Sequence, residues 1–119
     1  MLFRSQDIIN AYGGKMPQTW GVPVEEIQRG IKNGVRKVNI DTDNRMAMTG
    51  QIRKVLAENP GEFDPRKYLK PAMDAMTKLC KQRLEEFNTA GKASKIGKII
   101  TLSDMAKRYA KGELKPKIG

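Results

Sequence analysis

Asn39, Asp41, Thr42 and Arg45 lie within seven consecutive positions, interleaved with the apolar Val38 and Ile40. Val35 to Ile40 reads as a β-strand, because Val35, Val38 and Ile40 favour strands and successive side chains alternate between faces. Asn39 and Asp41 then point away from Val38 and Ile40. They do so at the carboxyl end of the strand, where ligands bind in α/β folds. Asp43 to Asn59 reads as the helix that follows. The unpaired N–H groups of its first turn can receive phosphate oxygens. Arg45, one turn in, adds a planar cationic fork suited to bidentate phosphate binding. Each residue also has a plainer use: Asp41 and Thr42 can cap the helix, and Arg45 can form a surface ion pair. The pattern alone does not choose between the two. Asp64 and Arg66 read locally as residues of a helix start, with Asp64 as N-cap and Pro65 in the first helical position.

The remaining composition narrows the chemistry. The 119 residues include no histidine, which removes the commonest general acid–base and the commonest metal ligand. Cys80 is the single cysteine, so neither an internal disulfide nor a zinc site within the chain is expected. A lone cysteine also suits a reducing cytosol, and a cytoplasmic location is expected. The net charge of +10 attracts anions, whether nucleic acid, anionic lipid or phosphorylated metabolites. Basic residues are interspersed with acidic ones, however, and aromatics make up only 6% without alternating with Lys or Arg. No nucleic-acid partner is expected from such a pattern. No run approaches the ~20 apolar residues of a membrane span, and Met1 to Asn10 has no apolar secretory core.

The elements that must position the polar segment follow from periodicity and breakers. Leu2-Phe3-Arg4-Ser5 resembles a translated sequencing-adapter tail, and residues 1–5 read as a non-native scar. Gln6 to Ala11 is a short helical turn stopped by Gly13-Gly14, and Lys15 to Pro23 is loop. Val24 to Asn33 reads as a helix with Glu25 and Glu26 in its first turn and Ile27 and Ile31 on one face. In the helix from Asp43, Met46, Met48, Ile52, Val55 and Leu56 follow helical spacing, and Asn59-Pro60-Gly61 breaks it. Asp64-Pro65 opens the next helix. Pro71, lacking an N–H, is expected to divide it into a short and a longer helix. Along the longer one run Met73, Met76, Leu79, Cys80, Leu84 and Phe87, so Cys80 reads as a buried, inert thiol. Gly91 to Gly97 reads as a basic loop. Thr101-Leu102-Ser103-Asp104 opens a last helix in the manner of a capping box, with Leu102, Met105, Tyr109 and Ala110 on its apolar face. Gly112 ends that helix before a Lys-rich tail. One strand cannot make a sheet, because its edges would be left unpaired. The chain therefore reads as part of a larger α/β domain.

Several stretches carry a specific resemblance: Tyr12-Gly13-Gly14-Lys15-Met16-Pro17, Gly21-Val22-Pro23-Val24-Glu25-Glu26-Ile27-Gln28, Gly34 through Asp43 with its Asn-Ile-Asp-Thr-Asp block, Glu62-Phe63-Asp64-Pro65-Arg66-Lys67-Tyr68-Leu69, and Phe87 through Ile96. They closely resemble class II fructose-1,6-bisphosphate aldolases, most of all the Calvin-cycle subtype. The resemblance runs from residue 6 to the end, so that 6–119 would form the C-terminal portion of a (β/α)8 TIM barrel. It implies that Val35 to Asp41 is the eighth strand and that the helices after it close the barrel, with the neighbouring strands lying outside the chain. It also implies reversible cleavage of fructose 1,6-bisphosphate to dihydroxyacetone phosphate and glyceraldehyde 3-phosphate, in glycolysis, gluconeogenesis or the Calvin cycle. In the family a zinc ion held by three histidines polarises the carbonyl, and an aspartate moves a proton. All of these precede residue 6 in the family's order, so no catalytic or metal residue carries over and the chain alone is expected to be inactive.

By the same resemblance, Asn39, Ile40, Asp41 and Thr42 hold dihydroxyacetone phosphate. Asn39 would contact substrate oxygens near the metal, and Asp41 and Thr42 would serve the phosphate end. Arg45 and Asp64 match positions that recognise the second half of the sugar. Arg66 matches an arginine offered to the far phosphate by a neighbouring subunit, which implies a homo-oligomer, dimer or tetramer. Two rival readings remain: a tagatose-bisphosphate aldolase of the same family, and a small basic anion-binding module without catalysis that would fold alone.

Overall fold

A computed structural model describes residues 4–96 and 100–115. Among the described residues every regular element is an α-helix: α1 (Ser5–Ala11), α2 (Val24–Lys32), α3 (Thr42–Glu58), α4 (Pro65–Glu86), α5 (Ala93–Ile96) and α6 (Leu102–Ala110). They divide into two compact units, one up to Asn88 and one from Thr89. Of residues 1–5, read above as a scar, 1–3 lie outside the described residues, while Arg4 and Ser5 open α1.

In the first unit α3 packs between α1 and α4, and small residues make that approach possible. Gly50 of α3 is buried; a Cβ there would stand 3.2 Å from Ile8 Cγ2 of α1, closer than ordinary packing tolerates. Ile9, Ala47 and Ala72 are the buried apolar side chains among the described residues. Beyond α1 the backbone turns at Gly13 (φ +82°), and Gly14 N–H donates to the Ile9 carbonyl at 2.9 Å. The loop that follows is tied back to α1. Asn10 accepts from Met16 N–H (2.8 Å) and donates to the Met16 carbonyl (3.2 Å), and Gln6 Nε2 donates to the Pro17 carbonyl (2.7 Å).

Three expectations need correction. Val35 to Ile40 is not a strand, since no backbone ladder pairs with it among the described residues and a strand exists only through its partners. The expected facing survives nonetheless: Val38 and Ile40 are half-buried, Asn39 and Asp41 exposed. Pro71 does not divide α4, which runs unbroken through it. The proline leaves the carbonyl four residues earlier without its helical donor. Continuing the helix keeps Ala72, 0% exposed, and the half-buried Met76, Leu79 and Cys80 on the packed side. Last, the expected loop from Gly91 holds the short helix α5, in which Ala93 and Lys95 are good helix formers; Gly97 lies outside the described residues.

In the second unit α6 has the expected start. Thr101 Oγ1 accepts from Asp104 N–H at 3.1 Å and donates to Asp104 Oδ2 at 2.8 Å. Gly112 lies at φ +70° beyond its end. Residues 116–119 of the Lys-rich tail lie outside the described residues.

No helix among the described residues is long and apolar enough to cross a membrane. Large apolar side chains nevertheless stand in water: Trp20 and Phe63 are each 88% exposed and Leu102 91%. With three buried apolar residues set against these, hydrophobic burial has little with which to oppose the entropy of ordering the chain. The isolated 119-residue chain is therefore expected to self-associate and to melt without cooperativity. Sedimentation velocity combined with a urea titration checks this; a monomer with a steep unfolding transition would contradict it.

Candidate functional site

The site forms where the polar segment enters α3. Asp41 occupies the N-cap position (φ −133°, ψ −59°), yet its side chain caps nothing. Its carboxylate turns to Arg45 instead, with Oδ1 2.9 Å from Nε and Oδ2 2.7 Å from Nη2. Thr42 is the first helical residue rather than the cap. The ion-pair use of Arg45 is thus the one realised, and side-chain capping by Asp41 or Thr42 is not. The first-turn N–H groups of this 17-residue helix keep the partial positive charge that favours an anion.

Beside that turn lies a groove of about 460 Å³. From α3 it is lined by Thr42, Arg45, Met46, Thr49 and Arg53, and from α1 and the following loop by Ile9, Lys15 and Met16. The α3 residues recur every three or four positions and so share one face of the helix. Lys15 and Arg53 have no ion-pair partner among the described residues, while Arg45 shares its charge with Asp41. Three cations against one carboxylate, with two threonine hydroxyls, make an arrangement that can bind a multiply charged oxyanion.

Sequence reasoning missed Lys15, Thr49 and Arg53. The i, i+4, i+8 spacing of Arg45, Thr49 and Arg53 was a usable signal. Lys15 had none, because the loop fold brings it there.

The other expected site residues stand apart from this groove. Asn39 is exposed and accepts from Lys37 Nζ through Oδ1, and Ile40 is half-buried. Asp64 caps α4 by accepting from Arg66 N–H at 3.0 Å, and the Arg66 guanidinium holds the same carboxylate at 2.7–3.1 Å. Asn39, Ile40, Asp41, Asp64 and Arg66 do not line the groove. The local helix-start reading of Asp64 and Arg66 therefore holds.

The hydrogen bond from the Arg66 side chain, helped by the Arg66 backbone, holds the Asp64 carboxyl below the usual carboxylate range. The cap's contribution is then fully present above the ordinary Asp pKa and is lost as pH falls through the lowered one. A carboxyl-carbon NMR titration is expected to give Asp64 a midpoint below the ordinary value, and a midpoint at or above it would contradict the pairing.

The residues present do not fit zinc. There is no histidine, and among the described residues no three of His, Cys, Asp and Glu converge. Half-buried Cys80 directs its sulfur to Asn44 Oδ1 at 3.6 Å. No step through a metal is assigned to these residues.

Comparison with known proteins bears on what this site serves. The family model described as fructose-bisphosphate aldolase class-II matches residues 18–92. The chain is 74% identical over 112 residues to fructose-bisphosphate aldolase 2 of Cereibacter sphaeroides, which covers 94% of this chain and 31% of that protein. It is 72% identical over 112 residues to fructose-bisphosphate aldolase 2 of Rhodobacter capsulatus, at 94% and 97% coverage. To the fructose-bisphosphate aldolase of Pseudomonas aeruginosa it is 62% identical over 111 residues, at 93% and 31%. The chain thus spans about a third of the length of the first and third of these. With the matched region taking in the polar segment, the groove-lining face of α3 and the whole of α4, the chain belongs to the class II fructose-bisphosphate aldolase family.

Proposed function

We propose that this chain is the C-terminal part of a longer (β/α)8-barrel enzyme that reversibly cleaves fructose 1,6-bisphosphate, and that it supplies the binding surface for the substrate's phosphate. The observation that carries the reading is the shared groove of Thr42 and Arg45 with Lys15 and Arg53, beside an uncapped helix start. In this reading Asn39, Ile40, Asp41 and Thr42 hold the dihydroxyacetone phosphate half. Arg45 and Asp64 recognise the other half, and Arg66 reaches the far phosphate in a neighbouring subunit of a homo-oligomer. Segment 35–41 becomes a strand once neighbouring strands pair with it. Zinc and proton transfer are supplied by residues other than these 119, residues 1–5 are non-native, and the enzyme works in the cytoplasm. The many exposed apolar side chains speak against a free-standing anion-binding module.

The substrate is tested by kcat/KM for fructose 1,6-bisphosphate and tagatose 1,6-bisphosphate on the full-length protein. Fructose bisphosphate is expected to be preferred. A preference for the tagatose sugar would assign the protein to the other branch of substrate use.

A further inference from the structure

The groove side of α3 is open, and its opposite side carries the contacts that orient it. Asp43 and Asn44 follow Thr42 directly, and the buried Ala47 and Gly50 continue along the packed side. Asp43 Oδ2 lies 3.0 Å from Arg83 Nη2 of α4, and Arg83 Nη1 lies 2.6 Å from Glu86 Oε2. The Arg83 side chain is only 18% exposed. Glu86 is itself held in place: Gln82 Nε2 donates to Oε1 at 2.8 Å, and Gln28 Nε2 of α2 donates to its backbone carbonyl at 3.0 Å. Burial, the largest single influence on Glu86, pushes its carboxyl up, but the hydrogen bonds from Gln82 and Arg83 outweigh it and leave the group below its ordinary range. It stays ionised beside Arg83 at neutral pH.

The first turn of α3 has no side-chain cap. Its described side-chain tethers to another helix are the Asp43–Arg83 pair and the weak contact between Asn44 and Cys80. We propose that Arg83 is a positioning residue for substrate: by holding Asp43 it fixes the rotation of the first turn of α3, and so the aim of Thr42 and the turn's N–H groups at the bound phosphate. This rests on the proposed aldolase reading. Adjacent helical residues are set about 100° apart, so a tether on Asp43 fixes the direction of Thr42 without touching the ligand. Arginine suits the task because its two terminal nitrogens engage carboxylates of two different helices at once, which one ammonium does less well.

The test uses the full-length protein with Arg83→Met, Arg83→Lys, Asp43→Asn and the Arg83→Met/Asp43→Asn double variant. Inorganic phosphate affinity is read by NMR titration, and KM and kcat with fructose 1,6-bisphosphate. Arg83→Met and Asp43→Asn are each expected to weaken phosphate binding and raise KM about tenfold, the scale of coupling between contacting residues, with kcat little changed. The double variant is expected to be no worse than either single one, and Arg83→Lys to recover part of the loss. Should Arg83→Met not fold, Asp43→Asn, nearly isosteric and half-exposed, carries the same reading. A lower melting temperature with phosphate affinity and KM unmoved would reduce the network to scaffolding and overturn the proposal. So would a loss in Arg83→Met that Asp43→Asn does not share. If the wild-type protein binds phosphate without cleaving the sugar, the aldolase reading fails while the affinity arm still judges Arg83. If it binds no phosphate, both fall.

Discussion

Supplied with zinc and fructose 1,6-bisphosphate, the isolated 119-residue chain is expected to release no triose phosphate above the uncatalysed background. Polarising a ketose carbonyl asks for a Lewis acid worth several kcal/mol to the transition state, and each ~1.4 kcal/mol is a tenfold change in rate. This chain offers no histidine to hold such an ion. Several of its carboxylates are committed to cations: Asp41 to Arg45, Asp43 to Arg83, Asp64 to Arg66 and Asp74 to Lys70. A binding surface without an electrophile does not accelerate the carbon–carbon cleavage. A coupled assay with and without chelator checks the expectation, and turnover that the chelator abolishes would overturn it.

In the full-length protein, Asp41→Ala is expected to lower kcat/KM for fructose 1,6-bisphosphate by about ten- to a hundredfold, the range of one to two lost charge-assisted contacts, with bound zinc essentially retained. Two effects oppose each other. Removing the carboxylate takes away a negative charge that competes with phosphate for Arg45. It also releases the guanidinium that Asp41 holds through both Nε and Nη2. Both side chains are exposed, so the competing charge is screened and small. The lost orientation and the lost contact decide the sign. Steady-state kinetics with metal analysis checks it. Unchanged kinetics would leave Asp41 with no role beyond its surface pair with Arg45.

Local signals were legible where a local interaction makes the structure. Asp64-Pro65 starts α4, Thr101 with Asp104 starts α6, and glycines follow the ends of α1, α2 and α6. The motif from Gly34 to Asp43 carried the family resemblance, which the match over residues 18–92 bears out. Segment 35–40 has a composition that suits a strand but forms none among the described residues, because pairing belongs to two segments and not to one. Pro71 was misread as a break because its cost is local, whereas the packing that continues α4 beyond it is not. The pattern left the use of Asp41 open, and the structure turns its carboxylate from the cap to Arg45, one turn on.

The amino-acid sequence by itself determined the starts of α4 and α6, the family and the residue types of the proposed phosphate site, since caps, turns and motifs act over a few positions. The tertiary structure alone decided that Lys15 joins Thr42, Arg45 and Arg53 in one groove, and that Arg83 reaches Asp43 across 40 positions of chain. Those meetings depend on how α1 and α4 pack against α3, and no spacing along the chain encodes them.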